Sequence, residues 1–118
     1  MNKILGWGIF FIAAFVYVST VEPTVSLWDC GEYISTAYKL QVGHPPGAPL
    51  FQLLGRVFSL FALGNTSKVA YCINVMSAVA SALTVMFLFW SIVLLASQFL
   101  IYNKKNDSGK EYLALGMG

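Results

Sequence analysis

Residues 4–21 read ILGWGIFFIAAFVYVSTV, an apolar stretch that decides the fold class. The stretch contains no charged residue, and as a helix rising about 1.5 Å per residue it would be about 27 Å long. That length matches the hydrocarbon core of a bilayer, so the stretch predicts a first membrane span at 4–21. Lys3 before it also suits a cleaved signal peptide, but no A-x-A-like cleavage site follows, which favours an uncleaved anchor.

A second and longer apolar stretch, VAYCINVMSAVASALTVMFLFWSIVLLASQFLIY, covers residues 69–102 and predicts a second span. As a helix it would be about 51 Å long, which exceeds the roughly 30 Å hydrocarbon core. Its first two turns are therefore expected outside the core, with Asn74 near the boundary. Small residues in the stretch predict close packing against a neighbouring helix; they are Ser77, Ala78, Ala80, Ser81 and Ala82.

The composition of the chain also indicates an integral membrane protein. Of the 118 residues, 58% are hydrophobic and 10% are charged, whereas soluble domains carry about 25% charged residues. The formal net charge of +2 and the lack of a basic stripe argue against nucleic-acid binding. The two cysteines, Cys30 and Cys72, form no C-x-x-C pair, which excludes a thiolate zinc site of the usual spacing and leaves a disulfide or two free thiols open.

Residues 22–68 form a loop between the two spans, and the pattern predicts two short helices in it. The first is predicted at 29–40. Asp29 is a suitable N-cap for this helix, and Glu32 three residues later would complete a capping-box-like pair. The segment G-H-P-P-G at 43–47 ends the helix, because glycine and proline interrupt regular structure.

The second helix of the loop, at 49–63, is amphipathic and too short to span a bilayer. Arg56 lies in its middle, and an arginine at a bilayer centre costs about 2.5 kcal/mol or more, so a third span is not expected. The pattern predicts a helix that lies in the membrane interface. Its apolar face comprises Leu50, Leu53, Leu54, Val57, Phe58 and Phe61, and its polar face comprises Gln52, Arg56 and Ser59.

Charged residues beside the first span set the expected orientation. Lysine and arginine collect on the cytoplasmic side of a membrane, and Lys3 precedes the span whereas Glu22 follows it. Both termini are therefore expected in the cytoplasm, with residues 22–68 on the outer face. The cytoplasmic tail at 103–118 starts polar and becomes apolar again, as if another helix were about to begin.

Nearly all ionisable residues outside the terminal segments lie in the outer loop, where such groups mark functional sites. Asp29 and Glu32 are either a helix-capping pair or catalytic carboxylates acting as a general base or metal ligand. His44 is either an ordinary loop residue or a site residue. Arg56 either extends its charge to the interface or binds a phosphate.

Two aromatic residues lie beside these charges. Trp28 and Tyr33 are either interfacial aromatics, which are common at both membrane faces, or contacts for a substrate. The sequence contains no Walker loop, dinucleotide fingerprint, H-E-x-x-H or G-x-S-x-G motif, so none of those activities is indicated.

The order of these features resembles a known family. One span is followed by P-x-x-x-x-W-D-x-G-E-Y from Pro23 to Tyr33, then by H-P-P-G-x-P-L from His44 to Leu50, then by a second span. This order is similar to that of the polytopic glycosyltransferases of the GT-C superfamily. It is more similar still to the domain-of-unknown-function family 2723, which includes the transmembrane-protein-260 type of protein O-mannosyltransferase.

The resemblance implies an all-α polytopic membrane fold and transfer of a sugar, such as mannose, from a polyprenyl-phosphate donor to a protein hydroxyl. The reaction would take place on the non-cytoplasmic face of a bacterial inner membrane or an endoplasmic-reticulum-like membrane. Asp29 would be the reaction-centre acid, either accepting the acceptor's proton or holding a divalent metal ion. Glu32 would support Asp29, and His44 would line the donor site. A phosphate contact by Arg56 is inferred from its chemistry alone.

The resemblance covers only the beginning of such an enzyme. The chain is expected to be an N-terminal part that is inactive without the remaining helices of its parent chain. Its other expected partners are membrane lipid, the lipid-linked sugar and an acceptor protein. Two further functions stay open: a non-enzymatic two-span protein that packs beside a partner, and part of a transporter with 49–63 as a re-entrant segment.

Overall fold

The computed structural model describes residues 2–26, 28–45 and 47–115, and every regular element within them is helical. Two short 3₁₀ turns, Leu60–Ala62 and Thr66–Lys68, lie between the last two helices. The predicted fold class, an all-α membrane protein with two long apolar helices joined by a loop with two short ones, is confirmed. The four α-helices are α1 at Asn2–Thr20, α2 at Cys30–Lys39, α3 at Pro49–Ser59 and α4 at Val69–Leu115.

Two helical stretches are long and apolar enough to cross a membrane, Asn2–Thr20 and Thr66–Asn103. Only 6% of the apolar window in the first and 17% in the second is buried within the protein. Apolar surface left exposed on this scale fits contact with lipid better than the core of a soluble protein. Helix α4 continues to Leu115, through polar residues predicted as a tail, and residues 116–118 of that tail lie outside the described residues.

Helices α1 and α4 run antiparallel, as contacts at their two ends show. At one end, the indole N–H of Trp90 donates to the carbonyl oxygen of Asn2 at 3.3 Å. At the other end, the side-chain amide of Asn74 donates to the carbonyl oxygens of Glu22 and Thr24 at 2.9 Å and 3.0 Å. Asn74 therefore lies level with the end of α1, near the predicted membrane boundary.

Small residues lie where α1 and α4 pack together. On α4, Ala78, Ala82 and Met86 are buried at four-residue intervals, so they share one face of the helix. On α1 the buried residue is Gly6, and the ring of Trp90 covers it. Small side chains of this kind let two membrane helices approach closely.

Gly6 is the position where a larger side chain should disturb this packing. A Cβ there would overlap Nε1 of Trp90 and lie 2.6 Å from Cε2, whereas a Cβ at Gly8 would meet nothing within 4 Å. We expect Gly6→Ala to destabilise the helix pair by about 1–3 kcal/mol, the usual cost of overpacking. Thermal unfolding in detergent, followed by circular dichroism, should show Gly6→Ala melting below Gly8→Ala. Equal melting temperatures would contradict the described packing.

A hydrophobic core holds α2 and α3 against the beginning of α4. The two short helices approach closely at Gly55, where an added Cβ would lie 2.9 Å from Cβ of Ala37. This core fixes the position of α2, which carries the predicted site residues Glu32 and Tyr33 and begins just after Asp29. The core consists of Ile34, Ala37, Ala62, Val69, Ile73 and Met76.

Helix α3 turns its polar face inward and most of its apolar face outward. Gln52 donates to the hydroxyl of Thr36 at 3.4 Å, and Arg56 donates to the carbonyl of Tyr38 at 2.7 Å, both on α2. In water such an arrangement would expose an apolar patch, whereas a membrane interface would favour it, and the position of α3 at the interface stays a prediction. Phe58 differs from the prediction because it packs against the core. The exposed residues are Leu50, Leu53, Leu54, Val57 and Phe61.

Candidate functional site

Asp29 lies at the N-cap position of α2, but its side chain makes no capping hydrogen bond. Its backbone angles, φ −73° and ψ −3°, are helical. A capping side chain usually requires an extended backbone at this position to reach the N–H groups of the first turn. The predicted capping box is therefore wrong, and the carboxylate of Glu32 binds elsewhere.

Glu32 holds His44 at two points. Its Oε1 accepts the backbone N–H of His44 at 2.8 Å, and its Oε2 lies 2.8 Å from Nδ1 of the imidazole ring. The pair is called the Glu32–His44 clamp below. It ties the loop that contains His44 to the first turn of α2, and so uses one of the predicted catalytic carboxylates to fix a predicted donor-site residue.

The clamp shifts the pKa values of both side chains. The backbone N–H of His44, followed by the hydrogen bond from its ring, lowers the pKa of Glu32 below its ordinary value of 4.5. The hydrogen bond to Glu32 raises the pKa of His44 above its ordinary value of 6.5, and the charges of Glu32 and Asp29 add to the effect. Between pH 4.5 and pH 6.5, therefore, Glu32 is negatively charged and His44 is positively charged, and the clamp is an ion pair with two hydrogen bonds.

The stability that the clamp contributes should depend on pH. The contribution of Glu32 is lost as the pH falls through its lowered pKa, and that of His44 is lost as the pH rises through its raised pKa. The full contribution is therefore expected between pH 4.5 and pH 6.5. Thermal unfolding of the chain and of His44→Gln should differ most in this window. A difference that stays constant up to pH 9 would contradict an ion pair.

A cleft of about 430 Å³ lies between α2, the start of α3 and α4. Tyr33 links it to the clamp, because its ring lines the cleft and packs edge-on at 6.3 Å from the ring of His44. On its other side the same ring packs at 5.7 Å from Phe51, which also lines the cleft. Asn74 and Ser77 supply polar groups from α4. The cleft is thus a mainly apolar space with polar groups on α4, and Tyr33 connects it to His44.

Asn74 is a candidate positioning residue that the sequence pattern did not identify as part of the site. Its amide binds two carbonyl oxygens of the segment that leads from α1 to Asp29, those of Glu22 and Thr24. A second cleft, of about 440 Å³, lies beside the end of α1. Asn74 lines both this cleft and the cleft at α2, and so lies between them. A polar residue inside an apolar run was the signal that could have identified it.

Trp28 and Asp29 lie at the surface of the site. Trp28 is 93% exposed, and its φ of 67° is a left-handed conformation that is uncommon for a bulky residue. Backbone strain of this kind concentrates at functional sites. Asp29 is exposed as well, so both side chains are accessible to a ligand.

Arg56 lies apart from these residues. Its Nη1 donates to the carbonyl of Tyr38 at 2.7 Å, and its guanidinium carbon lies 5.4 Å from the centre of the Tyr38 ring. Tyr38 is about 14 Å from Asp29 along the axis of α2. The structure therefore brings Asp29 and the clamp together with Tyr33, but it holds Arg56 at the opposite end of the helix.

The described residues offer an incomplete set of ligands for a metal ion. Among them no three His, Cys, Asp or Glu side chains converge. Both oxygens of Glu32 already bind His44, so only Asp29 would present a carboxylate, whereas Mg²⁺ and Ca²⁺ take six or more oxygen ligands. These residues alone do not fit a metal ion. Cys30 and Cys72 are free thiols.

Comparison with known proteins gives one family. A model described as the protein O-mannosyl-transferase TMEM260 N-terminal domain matches residues 29–118. The chain is 37% identical over 86 residues to protein O-mannosyl-transferase tmem260 of Dictyostelium discoideum, and the aligned region covers 73% of this chain and 10% of that protein. It is 35% identical over 86 residues to protein O-mannosyl-transferase TMEM260 of Mus musculus, and here the aligned region covers 72% of this chain and 12% of that protein. The chain thus spans roughly a tenth of these relatives. No solved structure matches it.

Proposed function

The chain belongs to the family of protein O-mannosyl-transferase TMEM260 N-terminal domains, and from this premise we propose that it forms one wall of a GT-C type active site. The site would transfer mannose from a polyprenyl-phosphate donor to a protein hydroxyl. The observation that carries the proposal is the position of Asp29. It is an exposed carboxylate without a capping bond, at the start of the helix that contributes Glu32 to the clamp and Tyr33 to the cleft.

The proposed reaction is a displacement at the anomeric carbon of the sugar. The hydroxyl oxygen of the acceptor attacks that carbon, and the bond between the carbon and the phosphate oxygen breaks. Asp29 accepts the proton of the hydroxyl, and the electron pair of the broken bond stays on the lipid phosphate. The phosphate gains negative charge, so a nearby cation lowers the barrier.

The donor is proposed to lie with its phosphate near His44 and its first isoprenoid units in the apolar cleft. Tyr33 and Phe51 line the cleft and offer aromatic surface to such a chain. A phosphate contact by Arg56 stays a prediction that this placement of the donor does not use, because the structure holds Arg56 at Tyr38, at the opposite end of α2 from Asp29. A metal ion at Asp29 also stays a prediction, and its other ligands would come from outside the described residues.

The proposed orientation places both termini in the cytoplasm and residues 22–68 on the outer face of a bacterial inner membrane or an endoplasmic-reticulum-like membrane. Family membership supports an enzyme over a non-enzymatic two-span protein. The one-sided exposure of α3 supports an interfacial helix rather than the re-entrant segment of a transporter, because a re-entrant segment would be buried on both faces.

The proposal can be tested with the full-length protein purified in lipid. We expect it to add mannose to serine or threonine of an acceptor protein, detected by mass spectrometry, when polyprenyl-phosphate mannose is supplied. Nucleotide-linked mannose without a lipid donor should give no product. Transfer from the nucleotide sugar alone would contradict the donor class, and no transfer from either donor would contradict the function.

A further inference from the structure

The two contacts of the Glu32–His44 clamp determine which nitrogen of the imidazole carries a proton. The pKa of Glu32 is lowered, so the side chain is a carboxylate at neutral pH and can only accept hydrogen bonds. Because Nδ1 of His44 lies 2.8 Å from Oε2 of this carboxylate, Nδ1 must carry a proton. Nε2 is then the nitrogen that gains or loses a proton on titration.

The imidazole of His44 is held on one edge and accessible on the other. Among the described residues, its ring makes a hydrogen bond through Nδ1 alone. The side chain remains 48% exposed, so Nε2 can reach a ligand. The ionisable groups around it are the carboxylates of Glu32 and Asp29 and the phenol of Tyr33. Within the described part of the chain, the charges that act on the ring are these two carboxylates, and they favour its protonated form.

We propose that Glu32 is a positioning residue that acts through His44: it holds the ring at Nδ1–H and favours the doubly protonated imidazolium, whose Nε2–H donates a hydrogen bond to a phosphate oxygen of the donor. The backbone contact to Oε1 fixes where the loop lies, and the ring contact to Oε2 fixes the tautomer and the rotation of the imidazole. In this proposal Glu32 acts only through the imidazole and the loop, because each of its oxygens bonds His44. The identity of the ligand rests on the proposed function, whereas the tautomer does not.

The tautomer can be read directly, because His44 is the single histidine of the chain. A tag-free chain labelled with ¹⁵N-histidine and placed in lipid nanodiscs should give one imidazole spectrum. We expect the nitrogen shifts above the pKa to show protonated Nδ1 and unprotonated Nε2, with a midpoint above 6.5. A ring protonated on Nε2, or an equal mixture of tautomers, would overturn the proposal without any need for a variant.

Glu32→Gln should invert the tautomer. The amide oxygen of glutamine would accept the backbone N–H of His44, and its NH₂ group would donate to Nδ1, so the neutral ring would carry its proton on Nε2. The midpoint should fall below that of the wild type, because the hydrogen bond and the charge of the Glu32 carboxylate are gone. Glu22→Gln is the matched control, since Glu22 bonds the hydroxyl of Thr24 and not the imidazole. An unchanged spectrum in Glu32→Gln would also overturn the proposal.

Enzyme kinetics test the role of the clamp in the full-length protein. Glu32→Gln would keep an Nε2–H on a neutral ring but lose the positive charge that faces the phosphate. It should therefore raise KM for polyprenyl-phosphate mannose about tenfold, the effect of losing 1.4 kcal/mol of binding, and change kcat little. Equal kinetics in the variant and the wild type would contradict the positioning role. If wild-type protein transfers no mannose, the proposed function fails, but the tautomer measured by NMR still decides whether the clamp exists as described.

Discussion

Asp29→Asn in the full-length protein should reduce mannose transfer by about 10²–10⁴-fold, the usual contribution of a general base. Asparagine has nearly the same shape as aspartate but cannot accept the acceptor's proton. The side chain is exposed and makes no capping hydrogen bond, so the substitution should leave α2 intact. Initial rates with lipid-linked mannose, measured at saturating donor and acceptor, give kcat for both proteins.

Two further measurements separate a catalytic effect from a structural one. Asp29→Asn should melt at the same temperature as the wild type, because no described contact of Asp29 is lost. Glu22→Gln removes another exposed carboxylate of the same loop and should keep full activity. If Asp29→Asn retains more than half of the wild-type kcat, Asp29 does not act as the general base of the reaction.

Gly55→Val should strongly destabilise the packing of α2 against α3. A Cβ at this position would lie 2.9 Å from Cβ of Ala37 and 3.8 Å from Cγ2 of Ile73, so the two additional methyl groups of valine have no space. Ala37 and Ile73 are both nearly completely buried and cannot move aside without shifting a helix. We expect a loss of about 1–3 kcal/mol in the free energy of unfolding, as for other overpacked cores.

Gly8→Val is the control for this variant. It makes the same change on a helix, but a Cβ at Gly8 meets nothing within 4 Å. Thermal unfolding in detergent should therefore give a lower melting temperature for Gly55→Val and little change for Gly8→Val. If both variants melt like the wild type, α2 and α3 do not pack through Gly55.

The helices could be predicted from the sequence because local patterns of apolar and polar residues indicate them. Uninterrupted apolar runs indicated α1 and α4, and the spacing of leucines in 49–63 indicated an amphipathic α3 whose apolar side is exposed. The end of α4 could not be predicted in the same way. The polar residues after 102 predict a tail, whereas the helix continues to Leu115. The backbone hydrogen bonds of a helix do not require apolar side chains.

The site was only partly predictable, because its key contact is not local. Asp29 and Glu32 have the spacing of a capping pair, and the sequence alone does not show that Glu32 instead binds a loop residue further along the chain. The loop bends back because Leu40 ends α2 in a left-handed conformation, with φ 51°, that the sequence did not indicate because glycine usually occupies such positions. Asn74 was recognised as a boundary residue, but its two bonds to the segment before Asp29 depend on how α1 packs.

The central claim is that the segment from Trp28 to Arg56 binds the lipid-linked donor, and photocrosslinking tests it most directly. The full-length protein would be irradiated with polyprenyl-phosphate mannose that carries a diazirine on its first isoprenoid unit, and labelled peptides identified by mass spectrometry. We predict labels on Tyr33 and Phe51, reduced by excess unlabelled donor. Competable labels confined to other parts of the protein, with none between Trp28 and Arg56, would contradict the account.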